Sequence, residues 1–328
     1  MGGRTAKIRY LSRADVEALA PSGAELADCI EATLQGAAAG CAQNFPKTSK
    51  ICPDGRLFQS IMAVGTCAPA PLYAATKVVG LSPANAARGL PHIGGIIVLN
   101  HGETGMPVAI MDATWVTEFR TAALSLVAAR RYARSASRSI GFIGCGAQAR
   151  AHLQIFVKAF PIATVTAFSR SFSSAAALAE TARVMGLEAT PTTDALQAVF
   201  DQDIVISSVP GGAEFEPFLS GDWLSAGVFA SLVDLGRSWR ADSFGSIEHR
   251  LVDDRTQAEA SRAYRKLTPD GPYTADLIEM ANDPGLRRQS EADRAVFTFQ
   301  GLALADLAVA SLVFTRAEKA NAGLLLPA

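Results

Sequence analysis

Charge is sparse in this chain. Of its 328 residues only 19% are charged, and the net charge is -1. That leaves no basic footprint for nucleic acid and no field to steer a highly charged partner. There are four scattered histidines. The cysteines Cys29, Cys41, Cys52, Cys67 and Cys145 include no C-x-x-C pair. No zinc spacing is present, no metal is expected, and the thiols read as the reduced cysteines of a cytoplasmic enzyme. No apolar run precedes Asp15, so there is no secretory signal to read. The most apolar late stretch, Val296 to Phe314, is broken by Gln300 and Asp306, which suits a buried helix better than a membrane span. Apolar residues, by contrast, make up 49%. A chain of this length and composition is globular and can form two domains, each with its own core, sharing one cleft.

Local signals divide the chain. Lys7 to Leu11 reads as a strand, and Ser12-x-x-Asp15 and Ser22-x-x-Glu25 are capping boxes opening helices, the second reaching about Ala39. From Phe45 to Asp112 short β-like runs are punctuated by Pro and Gly, with a hairpin around Gly102 to Gly105. Helical periodicity takes over from Thr117 to Arg134. Between Ser139 and Asp254, strands in SIGFIG, TVTAFS, DIVISSV and GVFASLVDL alternate with helices such as Ser174 to Met185, which implies a parallel, doubly wound sheet. Residues 255 to 295 read as helices and loops, and Gly301 to Asn321 as a long Ala/Leu helix. The fold class is therefore α/β: a Rossmann sheet joined to an α+β part with an antiparallel sheet.

The segment SIGFIGCGAQARAH carries the sharpest motif. Gly144-Cys145-Gly146-Ala147-Gln148-Ala149 fits G-x-G-x-x-A where a strand ends and a helix begins. Gly144 permits the tight turn, Gly146 admits a pyrophosphate, Ala149 keeps helix and strand close, and the helix N-terminus supplies unpaired N–H donors. At the end of the next strand an NAD site usually places an acid for the ribose hydroxyls; this chain has Ser169, Arg170 and Ser171, which suit a 2′-phosphate, so NADP is expected ahead of NAD. Ser207-Ser208-Val209 ends another strand at the sheet edge where ligands of such folds bind. Lys77 in YAATKVVG and Arg120 in VTEFRTAALS are cations of the types that hold a small carboxylate, although composition alone leaves both as solvated surface.

Taken together, KVVGLSPANAARGLP, ETGMPVAIMD, VTEFRTAALSLVAARRYA, IGFIGCGAQARAH and the closing FTFQGLALADLAVASLVF resemble the ornithine cyclodeaminase/mu-crystallin family over nearly the whole chain. The resemblance implies a discontinuous substrate-binding and dimerisation domain, residues 1–118 and 304–328, around an NAD(P)-binding Rossmann domain, residues 119–303. It implies a homodimer acting on a small amino or imino acid, with no nucleic-acid or membrane partner. By motif match Lys77 and Arg120 hold the substrate carboxylate with Lys50 as a third cation. Thr121 touches the cofactor phosphates, beside Arg120, and His92 lies near the cofactor. Lys77 and Asp234, in SLVDLGRSW, are the candidate catalytic residues.

One departure bears on the reaction. Ornithine cyclodeaminases carry a Glu on the strand after Pro-Asp-Gly, whereas here Pro53-Asp54-Gly55 is followed by no acidic residue before Lys77. An imine (ketimine) reductase or L-amino acid dehydrogenase is therefore the expected activity. An ammonia-releasing cyclodeaminase and a mu-crystallin-like NADPH-dependent ligand-binding protein are the alternatives.

Overall fold

Ser12 and Ser22 each close a capping box: the Ser12 hydroxyl accepts from Asp15 N while the Asp15 carboxylate accepts from Ser12 N, and Ser22 and Glu25 repeat the exchange. These caps satisfy orphan N–H groups at two helix starts and fix α1 (Arg13–Ala18) and α2 (Gly23–Ala38) after the opening strand β1 (Lys7–Leu11). The computed structural model describes residues 7–66, 71–210, 216–262 and 272–327. Cys67 and the first six residues, read above for a signal, lie outside them, as does part of the segment 255 to 295.

The chain divides into two compact units, residues 1–120 with 302–328, and residues 121–301; the sequence reading sets the division at 118/119 and 303/304. In the first unit β2 (Ala42–Asn44), β3 (Thr48–Ile51), β4 (Leu57–Thr66), β5 (Leu72–Leu81), β6 (Ile93–His101) and β7 (Pro107–Asp112) follow α2. The expected hairpin is β6–β7, with Gly105 at φ +70° in its turn. The C-terminal helix α8 (Ala303–Ala320) and strand β16 (Leu324–Pro327) return to this unit. The sheet runs β16-β1-β7-β6-β5-β4-β2, with β3 also on β4; β1 and β7 are parallel and the other pairs antiparallel.

Alternation along each strand sorts its residues between two faces. Ile61 and Ala63 of β4, Tyr73, Ala75, Lys77 and Val79 of β5, and Ile97 and Leu99 of β6 are buried. Helix α8 packs on α2, β4 and β5. Its apolar residues Leu304, Leu307, Val309 and Val313 are sealed in this core, where truncating one Leu to Ala typically costs about 2–5 kcal/mol. On the other face Phe58, Met62, Val78 and Ile96 are exposed.

Helix α3 (Ala113–Tyr132) carries the chain into the second unit. There β8 (Ser139–Ile143), α4 (Ala147–Ala159), β9 (Thr164–Phe168), α5 (Phe172–Val184), β10 (Glu188–Thr192), β11 (Ile204–Ser207), β12 (Phe229–Leu232), β13 (His249–Val252), α6 (Arg255–Arg262), β14 (Ala275–Asp276), α7 (Leu277–Asn282) and β15 (Ala295–Thr298) follow in order. The sheet is parallel throughout, β10-β9-β8-β11-β12-β15-β13-β14. From β8 the sheet runs through β9 and β10 on one side and through β11 and β12 on the other, with β15 inserted between β12 and β13, so the β8/β11 seam is a topological switch point, the Rossmann arrangement. This is the α/β class expected from the sequence.

Two local readings need correction. The apolar stretch from Val296 to Phe314 is not one helix: strand β15 occupies its start, the chain turns at Gly301 with φ +97°, and α8 begins at Ala303. Four further strands of the second unit were not read, because β10 is polar at a sheet edge and β13, β14 and β15 are only two to four residues long. Among the described residues, no helix is long and apolar enough to cross a membrane.

Candidate active site

Strand periodicity drives a lysine into the core of the first unit. Lys77 shares the buried face of β5 with Ala75 and Val79 and is 3% exposed. A charged amine there requires partners, and two elements supply them. Lys77 Nζ donates to Asp306 Oδ1 on α8 at 2.7 Å and to Thr117 Oγ1 on α3 at 3.2 Å. Arg120 follows Thr117 by three positions, hence on the same helix face, and its Nε lies 3.2 Å from the same Asp306 oxygen. Two buried cations thus share one buried carboxylate, an excess of one positive charge.

The balance of bonds is equally uneven. Arg120 Nη1 and Asp306 Oδ2 are buried without a hydrogen-bond partner among the described residues. Burial, and then the Arg120 charge, push the Lys77 ammonium down to about 8, against the upward pull of Asp306; Lys47 adds a further lowering field. Arg120 Nη1 calls for an acceptor such as a carboxylate oxygen, and Asp306 Oδ2 for an N–H or O–H donor. Asp306 is the member that sequence reasoning left without a role. Its signal was present as a carboxylate interrupting an apolar helix. Lys50 is exposed on β3, three positions beyond Lys47, whose charge lowers the Lys77 ammonium. His92 is exposed just ahead of β6.

In the second unit the Gly144 turn leaves β8 at the switch point. Gly144 has φ +91°, donates from its N–H to Phe168 O, and has room for no side chain, because a Cβ would stand 3.0 Å from Ser208 O. Gly146 is different. It caps α4 at φ -83°, a conformation any residue adopts, and a Cβ there would meet nothing within 4 Å. The fold therefore requires glycine at 144 but not at 146, and the open space over Gly146 is what a pyrophosphate would occupy. Helix α4 begins there with no side-chain cap, with Ala147 and Gln148 in its first turn, and a helix N-terminus of this kind suits a phosphate. Ser208 Oγ, across the seam, is buried without a partner among the described residues, and Val209 beside it is half-buried. These features fit a dinucleotide.

Other positions complete this edge of the sheet. Ser169 is half-buried after β9 and its Oγ accepts from Ser171 N at 3.3 Å; Ser171 Oγ lies 2.8 Å from Ser173 Oγ. Arg170 between them is exposed, and no carboxylate stands at this strand end. Thr121 is buried at the start of the unit. Cys145, inside the turn, donates to Phe168 O, and burial pushes its thiol up to about 11, so it is no nucleophile. Asp234 is buried after β12, accepting from Ser207 Oγ at 3.1 Å, Ser238 Oγ at 2.5 Å and Gly236 N at 3.2 Å. Burial raises its carboxyl, against the lowering effect of those bonds.

Comparison with known proteins finds similarity in sequence and fold over nearly the whole chain. Residues 7–321 match the ornithine cyclodeaminase/mu-crystallin family. Alanine dehydrogenase of Archaeoglobus fulgidus is 29% identical over 261 residues, 76% of this chain and 79% of that one. Among solved structures, an archaeal alanine dehydrogenase dimer with bound NAD is similar at TM-score 0.85 and 28% identity, covering 98% of this chain and 99% of that one. The Delta(1)-pyrroline-2-carboxylate reductase of Thermococcus litoralis, in complex with NADH and L-proline, has the same TM-score at 26% identity, covering 97% and 99%.

Proposed function

The chain belongs to the ornithine cyclodeaminase/mu-crystallin family, and on that footing we propose that it is an NAD(P)H-dependent imine (ketimine) reductase or L-amino acid dehydrogenase acting on a small α-imino or α-amino acid. The observation that carries the substrate class is the buried pair Lys77 and Arg120 sharing the Asp306 carboxylate, with Arg120 Nη1 unpaired among the described residues. A carboxylate supplies the missing charge and the missing acceptor together.

In this reading Arg120 and Lys77 hold the substrate carboxylate and so fix the reacting carbon, the positioning from which most of the rate derives. Gly144, Gly146, Ala147 and Gln148 cradle the dinucleotide phosphates with Thr121, and Ser208 and Val209 line the same edge. When bound, the reduced nicotinamide supplies a hydride to the imine carbon. A proton on nitrogen completes the amine, and Asp234, whose protonated form burial favours, is assigned to hold it. Lys77, with its ammonium pushed down to about 8, also exchanges a proton near neutrality.

Arg170, flanked by Ser169 and Ser171, supports NADP over NAD, although the similar solved proteins named above contain NAD and NADH. The exposed face carrying Phe58, Met62, Val78 and Ile96 supports a homodimer formed through the first unit. The four described cysteines are free, which suits a reducing cytoplasm.

The test is a screen of NADPH oxidation against cyclic and acyclic imines, with NADH run in parallel. Oxidation with at least one imino acid supports the reading. Ammonia released from ornithine without net change in NADPH would establish a cyclodeaminase instead. Tight NADPH binding without turnover on any imine would establish a ligand-binding protein.

A further inference from the structure

The motif SIGFIGCGAQARAH ends on a histidine to which the proposed chemistry gives no role. His152 lies in α4, six positions beyond Gly146, with no solvent exposure. Its Nδ1 stands 2.7 Å from Gln148 O, and its Nε2 stands 2.8 Å from Ser125 Oγ on α3. Ser125 Oγ is in turn 2.9 Å from Ser231 Oγ on β12.

Every proton in this chain can be assigned. A carbonyl oxygen only accepts, so Nδ1 carries a hydrogen and donates to Gln148 O. Burial pushes the imidazole down to about 4, so the ring is neutral and Nε2 is an acceptor. Ser125 Oγ–H donates to Nε2 at 2.8 Å, with Thr121 O at 3.3 Å as a second, longer acceptor, and Ser231 Oγ–H donates to Ser125 Oγ.

What these bonds hold is specific. Gln148 lies in the first turn of α4, the end that meets the diphosphate, and Ser125 follows Thr121 by one turn of α3. An apolar ring at 152 would fill the same space and keep the stack on Phe156, whose ring centroid is 6.0 Å away. It would not tie the Gln148 carbonyl to α3 and β12. We propose that His152 is a positioning residue for the dinucleotide: through Gln148 O and Ser125 it fixes the phosphate-binding end of α4 against α3 and β12.

The inference rests on the oxidoreductase reading for its ligand, and the test separates the two. NADPH affinity is measured by calorimetry on the full chain, its His152→Phe and His152→Gln variants, and Ser125→Ala, with thermal unfolding recorded for each. His152→Phe should raise the NADPH Kd about ten-fold or more. His152→Gln, which keeps an acceptor toward Ser125, should raise it about three-fold at most. The imino acid KM at saturating NADPH should stay within about two-fold, because the carboxylate clamp is untouched. Should His152→Phe fail to fold, Ser125→Ala removes the donor to Nε2 without altering the ring and should itself weaken NADPH by about three-fold or more. Folded variants that melt earlier but bind NADPH like the unaltered chain would reduce His152 to a core residue and overturn the proposal. An unaltered chain that binds neither NADPH nor NADH would overturn the oxidoreductase reading, and this inference with it.

Discussion

Asp306 Oδ1 lies 2.7 Å from Lys77 Nζ across 229 positions of sequence, with both side chains at most 3% exposed. One carboxylate oxygen also faces Arg120, so Asp306 sets where both cations sit and how much positive charge they leave over. Its removal should be felt in pH dependence before it is felt in geometry. In the unaltered chain the imino acid KM should rise as pH climbs through about 8, where Lys77 loses its proton and the clamp one of its charges. Asp306 raises the Lys77 pKa, so Asp306→Asn should move that alkaline limb to lower pH. Lys77→Arg, charged throughout, should abolish the limb. A pH profile of kcat/KM on the three proteins checks this, and identical limbs would refute it.

Arg120→Ala removes the guanidinium that faces Asp306. The KM for the imino acid should rise on the order of 100-fold, the usual consequence of truncating one partner of a buried charge pair. NADPH affinity should hold, since the Gly144 turn is intact. Steady-state kinetics beside calorimetry reads both numbers.

The two glycines of the turn should fail differently. Gly144→Ala places a Cβ at positive φ against Ser208 O and should cost about 1–2 kcal/mol of stability or more. Gly146→Ala meets only open space, so its stability should change by less than about 1 kcal/mol. Its NADPH affinity should nevertheless drop about ten-fold or more. Denaturant unfolding and nucleotide titration separate the two effects.

Arg170→Ala should weaken NADPH by about 1.5–3 kcal/mol, the worth of a hydrogen bond to a charged group, and leave NADH unchanged. Equal losses for both coenzymes would place Arg170 on the adenine rather than on a 2′-phosphate.

Asp234→Asn keeps the shape and one acceptor oxygen, toward either Ser207 or Ser238, but cannot release a proton. Its kcat should fall about 10²–10⁴-fold, the range for general acid–base groups, with both binding constants little altered. If kcat holds while stability drops, Asp234 serves only the loop that follows β12.

Much of this protein could be read from local patterns. The capping serines Ser12 and Ser22, the Gly144 turn and strand β8 declare themselves within a few residues, because caps and tight turns depend on neighbours in sequence. Strand β10, Glu188–Thr192, did not: its place at the sheet edge comes from pairing with β9, and nothing in a polar pentapeptide announces a partner. β15 was lost for the opposite reason, its four apolar residues running on toward an apolar helix. The cations of the clamp came from family resemblance, whereas their shared counter-ion required the fold, since no local pattern connects position 306 to position 77. The His152 bonds are equally invisible in sequence, because Ser125 and Ser231 are unremarkable until α3, α4 and β12 meet.

The interrupted first unit has a consequence for synthesis. The ribosome makes β5 and the first two turns of α3, bearing Lys77 and Arg120, then the whole second unit, and only then the helix bearing Asp306. Until α8 emerges, the nascent segment holds two cations destined for one core without the Asp306 carboxylate, so the second unit is free to form first. On the proposed function the grip on the substrate would be assembled last, and a release from the ribosome before α8 should leave a protein that takes up nucleotide but not its acid.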